Sequence, residues 1–579
     1  MKVKKIKVRT HKKPKTKRIY TPVANALELC RIIESHGEKT LFSYFTTDHR
    51  LADITYFEFS DMIKKAAAGL DSMGLSAGAK VAVIGETSPE WLCMYLATVV
   101  SGGVVIPMDR ELSPSEIEKF LEWVDADAIA YSASLSGAIS EIRRSGTHLK
   151  RFIPFTGEVS DDPCVTTFTE LCKVGSQEVS DGYEYPDPSS REDELAEFLF
   201  TSGTTGSSKC VMLSQKNIFS VVTSACETVD FNPDDTVVSV LPMHHTYELA
   251  CTLAEMDYGV HICINDSLSH VIKNFKLFKP TALILVPLFV YTMHKKIWAE
   301  ARRSGKENRL KVGIIAAGTM SSVGLDVRRR IFADILAAFG GRLEKIICGG
   351  APLDPLMIEA FEHFGISIYE GYGITECSPL AAVTPYYARK YGSVGRAVPC
   401  CEIRIDPASD EPNEFGYIGG EILVRGDNVM LGYYDNLEAN AAAFTDDGWF
   451  RTGDVGYLDD DGYLFITGRQ KSVIVLENGK NVFPEEIEEY LSHIDLIRES
   501  VVVGRTSDGN KIELTAVVYP NYDAFPKGTD DSTIQRALEH SVATMNRKLP
   551  SFKRVMRIEL RSTEFEKTSA KKIKRHLVK

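Results

Sequence analysis

The chain has 579 residues, 44% of them hydrophobic and 25% charged, values that exclude bulk disorder and a fibrous repeat. Acidic residues outnumber basic ones by 79 to 67, and the net charge of −12 argues against a dedicated nucleic-acid binder, which would carry a basic surface. At about 100–200 residues per domain, the length asks for at least two domains.

The charge is unevenly placed. Residues 1–18 carry ten lysines and arginines and no acid. No apolar stretch follows as a secretory signal would require, so residues 1–20 read as a basic, solvated arm. The alternative is an electrostatic tether to an anionic membrane or RNA. Twelve cysteines lie at irregular spacing without a CxxC pair, which fits reduced thiols in the cytoplasm better than a disulfide or zinc framework. The longest apolar runs, 96–108 and 281–293, are broken by Gly102, Gly103 and Pro287, and both fall short of the ~20 residues that cross a bilayer. A cytoplasmic protein is expected, with any membrane contact peripheral.

Along the chain, short apolar runs alternate with helical patterns. Residues 80–84 read as a strand, 90–100 as a helix and 104–107 as a second strand. Strand-like runs recur at 236–241, 261–265, 282–286 and 345–348. Runs of Val, Ile and Leu without a polar alternate face are buried on both sides, so an α/β fold of parallel sheets flanked by helices is expected. After about residue 395 the strands 401–405, 421–424 and 463–467 are separated by Gly- and Asp-rich turns, which suggests a small antiparallel sub-domain. A helix is expected over 483–494, with Pro484 at its first position and Glu485 and Glu486 at the positive end of its dipole. A boundary near Gln470–Lys471 separates a large domain, 21–470, from a small α+β domain, 471–579.

The most informative segment is FLFTSGTTGSSKCVMLS, residues 198–214. A strand enters a loop of Thr201, Ser202, Gly203, Thr204, Thr205 and Gly206, and the loop closes at Lys209 before a second strand. Successive backbone N–H groups and hydroxyls make an anion nest, and the lysine adds a full charge, which suits a polyphosphate. The spacing is not that of a Walker A loop, because two serines separate Gly206 from Lys209.

This loop resembles the phosphate signature of the adenylate-forming enzymes, which include acyl- and aryl-CoA ligases, luciferases and peptide-synthetase adenylation domains. Other segments in the same order resemble further motifs of that superfamily: YEGYGITECSP (369–379), WFRTGD (449–454), GRQKSVI (468–474) and KTSAKKIKR (567–575). The resemblance runs from about residue 21 to the C-terminus, and it implies ATP, Mg2+ and coenzyme A as cofactor and cosubstrates. It places adenine contacts at Gly350, Ala351 and Pro352, and further ATP contacts at Glu370, Gly371, Tyr372, Gly373 and Thr375. Asp454 and Arg469 would hold the ribose, Thr201 and Glu376 the magnesium, and Lys471 would be the hinge. His245, in LPMHHTYE, would position the substrate, with His244 where an aromatic ring is usual. Lys572 would be the catalytic lysine, with Lys571 as the alternative in that register.

These residues lead to an ATP-dependent acid–thiol ligase. The carboxylate attacks the α-phosphorus, pyrophosphate leaves, and the acyl-AMP then passes its acyl group to coenzyme A. The HHTYE and FEKTSAKKIKR segments look most like those of bacterial long-chain fatty acid–CoA ligases. Medium-chain or aryl acids, a carrier-protein thiol as acceptor, and an inactive nucleotide-binding regulator are the alternatives. The expected partners are small molecules, with no nucleic acid.

Overall fold

Apolar runs with no polar face need cover on both sides, and mainly parallel sheets alternating with helices provide it. The computed structural model describes residues 9–10, 20–157, 160–187, 191–201, 208–322, 325–408, 411–413, 415–476, 481–506, 512–547, 549–567 and 573–578. The chain divides into two compact units. One holds most residues up to 403 together with 424–450, and the other holds 404–423 and the chain from 451 onward.

The first unit contains a seven-stranded and a nine-stranded sheet. In the seven-stranded sheet, Lys80–Ile84, Val104–Met108, Ala128–Tyr131 and Arg151–Pro154 run parallel, as the expected runs at 80–84 and 104–107 require. The helix Pro89–Val100 starts on a Ser88 cap with Pro89 in its first turn and is buried almost all round, as a helix sandwiched between layers must be. The strands Leu195–Thr201 and Lys209–Ser214 join the same sheet as an antiparallel hairpin. In the nine-stranded sheet, Thr236–Ser239, His261–Ile264, Ala282–Leu285, Lys345–Cys348 and Ser367–Gly373 form the parallel centre. Three of these strands stop one or two residues earlier than their apolar runs suggest. The chain beyond Ser239 turns at Pro242 into the loop that carries both histidines.

In the second unit, Cys401–Pro407, Gly420–Gly426, Phe450–Leu458 and Leu464–Arg469 contribute to a four-stranded sheet in that order. The last pair is antiparallel. Further on, Ile497–Thr506, Ile512–Pro520 and Arg557–Leu560 form a three-stranded sheet. The helices Pro484–Ser492 and Asp531–Asn546 pack on it through Ile487, Leu491, Ile534, Leu538 and Val542. The expected helix at 483–494 is therefore present, with Phe483 and His493 as its caps.

Burial also sets a pH dependence. Glu197 and Glu248 are fully enclosed, and burial raises each carboxyl to about 8, opposed by hydrogen bonds from Tyr95 and Ser239 respectively. At neutral pH these groups stay protonated in the fold, whereas the unfolded chain has ionised them, so stability falls as pH rises toward 8. The buried histidines act in the opposite sense only near and below their ordinary value of 6.5. Each of the two acids should therefore cost on the order of 1 kcal/mol between pH 7 and 8. The melting temperature should drop over that interval, and Glu197→Gln should flatten the drop. An unchanged slope in the variant would show that Glu197 is already ionised in the fold.

Candidate active site

The phosphate-loop hairpin has Thr201 directly opposite Lys209, so the loop leaves and re-enters the sheet at one point. On the far side of Lys209–Ser214 lies the two-residue strand Gly432–Tyr433, with Tyr433 opposite Val211. This pairing puts the Lys209 ammonium 4.0 Å from the centre of the Tyr433 ring. A cation over an aromatic face is held by the ring quadrupole, which orients the lysine without neutralising it. The Tyr433 hydroxyl donates to Glu376 Oε1 at 2.8 Å. Burial, and then the charge of Glu376, pushes that phenol well above its ordinary range, so it remains a donor. Lys209, Tyr433 and Glu376 thus form one connected group.

Glu376 sits on the short helical turn Thr375–Cys377, just beyond Ser367–Gly373. Gly373 must be glycine, because a Cβ there would lie 1.8 Å from the Pro379 carbonyl oxygen. Glu370, on the same strand, pairs with Cys348, which brings CGGAP alongside YEGYG. Gly350 adopts φ +82, and Gly350, Ala351 and Pro352 are exposed at the end of Lys345–Cys348. Tyr372 and Glu370 are buried within the strand.

His245 caps the helix Thr246–Tyr258. At the helix's second residue, the Tyr247 hydroxyl donates to the Ile347 carbonyl at 3.1 Å, and the ring packs against Gly349. This helix is therefore fastened to the CGGAP strand. The His244 ring lies 4.3 Å from that of His245 and 3.6 Å from an Asp109 carboxylate oxygen. Burial, and then His245, lowers His244 to about 3 despite Asp109, so its ring is neutral at physiological pH.

In the second unit, Asp454 and Arg469 are cross-strand neighbours, and Arg469 Nε lies 3.1 Å from Asp454 Oδ1. Thr452 donates to the Ile422 carbonyl and accepts from the Asp454 N–H. Gly453 takes the left-handed conformation and gives its N–H to Glu421, which also pairs with Arg451. Lys471 follows at once, on the helical turn Gln470–Ser472. Gly468 also lacks room for a side chain, since a Cβ would meet the Phe483 ring at 2.6 Å.

Comparison with known proteins shows the family. A family model described as AMP-binding enzyme fits residues 31–434, and one described as AMP-binding enzyme C-terminal domain fits 471–579. The chain belongs to the AMP-binding enzymes.

Among relatives of this family, the chain is 31% identical over 471 residues to a long-chain-fatty-acid–CoA ligase, FadD15, of Mycobacterium bovis, spanning 78% of this chain and 75% of that one. The human long-chain-fatty-acid–CoA ligase ACSBG1 is 27% identical over 497 residues, 82% of this chain and 68% of that one. In fold, the chain is similar to ATP-bound MatB from Rhodopseudomonas palustris, at TM-score 0.71 and 24% identity over 96% of this chain and 98% of that one.

The structure brings Thr201, Lys209 and Glu376 to one region of the first unit's fold, and it pairs Asp454 with Arg469 in the second. Ser202, Gly203, Thr204, Thr205, Gly206, Lys571 and Lys572 lie outside the described residues. Sequence reasoning missed Tyr433, Tyr247, Thr452 and Glu421. Tyr247 and Thr452 stand inside motifs already singled out, whereas Tyr433 and Glu421 had no local signal.

Proposed function

We propose that this AMP-binding enzyme is an acyl-CoA synthetase that joins a long-chain fatty acid to coenzyme A through an acyl-AMP, releasing AMP and pyrophosphate. The observation that carries the reading is the Lys209–Tyr433–Glu376 group beside the phosphate-loop hairpin. It places a fixed cation and a fixed anion next to a loop of hydroxyls and backbone N–H groups. The named activity of relatives at 31% and 27% identity supports the choice of long-chain acids and coenzyme A.

A carboxylate is a poor electrophile because its leaving group would be oxide, and attaching AMP supplies a better one. The carboxylate attacks the α-phosphorus in line and pyrophosphate departs, so the protein needs no nucleophile of its own and works by positioning and by charge. Thr201, the loop that follows it and Lys209 would bind the β- and γ-phosphates. Glu376 and the Thr201 hydroxyl are the hard oxygen donors that magnesium prefers, and the ion would offset the charge of the polyphosphate. Asp454 would accept from both ribose hydroxyls, with Arg469 fixing its orientation. His245, at the start of the helix fastened through Tyr247, would position the acyl carboxylate. Lys572 would bridge that carboxylate and the α-phosphate. In the thioester step the domain after Lys471 would turn and withdraw Lys572. The basic arm 1–18 would add a long-range attraction to anionic membrane, where a long-chain acid partitions.

The direct test is AMP release, with and without coenzyme A, across fatty acids of increasing length plus benzoate, alongside ATP–pyrophosphate isotope exchange. Long-chain acids should give the highest kcat/KM, with exchange independent of coenzyme A. Absence of exchange with every acid would overturn the reading.

A further inference from the structure

We infer that the face built on the helix Glu307–Ser322 is a docking surface for an anionic lipid bilayer. The helix packs inward through Leu310 and Ala317, both buried. Its outward side carries Val312 and Ile315, which are 65% and 71% exposed. Three more apolar side chains lie exposed in and after the helix. Leu325 is tied back by its N–H to the Met320 carbonyl, and Ile331 fills the space beside Gly313; all three of Met320, Leu325 and Ile331 are exposed. Val312 and Ile315, three residues apart on one helix face, hold large aliphatic side chains this far into solvent, and such a neighbouring pair in a cationic surround marks an interaction surface.

The surrounding charge selects the partner. Residues 288–331 carry ten lysines and arginines against three acids, a local excess of +7 in a chain whose total is −12. Arg309 and Lys311 precede Val312 on the helix, Arg330 precedes Ile331, and Arg302 and Arg303 end the preceding helix Pro287–Arg303. Some of these cations have intramolecular partners: Lys311 pairs with Glu307, Arg303 with Glu300, Lys306 with Asp334 and Arg328 with Asp326, and Arg329 donates to the Leu343 carbonyl. They form exposed pairs that water already screens, and the excess stays positive. An aliphatic centre in a cationic surround is the composition of a helix that lies in the plane of a bilayer, its apolar side among the acyl chains and its long basic side chains reaching the headgroups. A nucleic acid would leave the aliphatic centre without a partner, and pairing two copies of this face would bring like charges together. The inference rests on the long-chain reading in one respect: an acid dissolved in a membrane gives the enzyme reason to be there.

The test is co-sedimentation of the full chain with phosphatidylcholine vesicles, with and without about one third phosphatidylserine. The full chain should bind the anionic vesicles and lose binding as salt is raised. Val312→Asp with Ile315→Asp should weaken binding about tenfold or more, and Arg309→Glu with Lys311→Glu should do so independently of the apolar change. Deleting residues 1–18 should weaken binding by a smaller factor. Unaltered binding by both double variants, or complete loss of binding on deleting the arm alone, overturns the inference. So does a dimer in light scattering that Val312→Asp with Ile315→Asp converts to a monomer. The Val312→Asp, Ile315→Asp chain should still activate a water-soluble medium-chain acid at the parent rate without vesicles. If the parent chain itself activates no acid, the ligase reading fails and the vesicle result stands unaffected.

Discussion

Lys572→Ala should slow acyl-adenylate formation by about 10³-fold while leaving thioester formation from supplied acyl-AMP within a few-fold of the parent rate. The two steps would separate because the lysine would be needed only where negative charge gathers on the carboxylate and the α-phosphate. In the second step the leaving group is AMP, and the attacking group is a thiol. The described residues on either side of it are tied to the second unit. Lys567 and Ile573 form an antiparallel bridge, and the Lys574 N–H donates to the Glu566 carbonyl. Lys567 pairs with Glu499 and Glu564, while Arg575 pairs with Glu485 and Glu488. The ends of the segment are therefore pinned by ion pairs to the body of the second unit. Lys571→Ala is the control for register: it should retain adenylation, and a reversal of the two phenotypes would move the role to Lys571. Equal loss of both half-reactions in Lys572→Ala would contradict a role confined to the first. Pyrophosphate exchange and single-turnover thioester formation measure the two separately.

The parts legible in the sequence are those where burial dictates composition. KVAVI at 80–84 and KIIC at 345–348 have no polar face to turn toward water, so they had to be central strands, and they are. Asp454 and Arg469 could be expected at one sugar from the motifs they stand in; that they are cross-strand neighbours in one hairpin, with an irregular register between Val455 and Gly456, could not be read in advance. Tyr433 could not be read at all. It stands 57 residues from Glu376 in the chain, on a strand of two residues, too short for any periodicity. Its place follows from pairing with Val211, which depends on the whole sheet being assembled. Glu421 is similar: it looks like one more charge at the start of a strand until Gly453 and Arg451 are folded against it.

Glu376→Gln should lower adenylation by about 10²-fold and raise the magnesium concentration needed for half-maximal rate. The amide keeps the shape of the side chain and an oxygen that can still accept from the Tyr433 hydroxyl, so the hydrogen bond is retained while the charge is lost. Tyr433→Phe makes the complementary change. It removes the hydroxyl that holds Glu376 Oε1 but keeps the ring beneath Lys209. If the phenol only orients the carboxylate, this variant should lose about tenfold and show a smaller rise in magnesium requirement, since a neutral hydrogen bond to a charged group is worth about 1.5–3 kcal/mol at most. The double variant should be less impaired than the product of the two single losses, because without its charge Glu376 no longer needs orienting. Additive losses would mean that the Tyr433 hydroxyl does not act through Glu376, and Tyr433→Leu, which removes the ring as well, would separate the ring's contact with Lys209 as a further effect on the KM for ATP. An unchanged magnesium dependence in Glu376→Gln would remove this residue from the metal site altogether and leave the Thr201 hydroxyl and the phosphates to hold the ion.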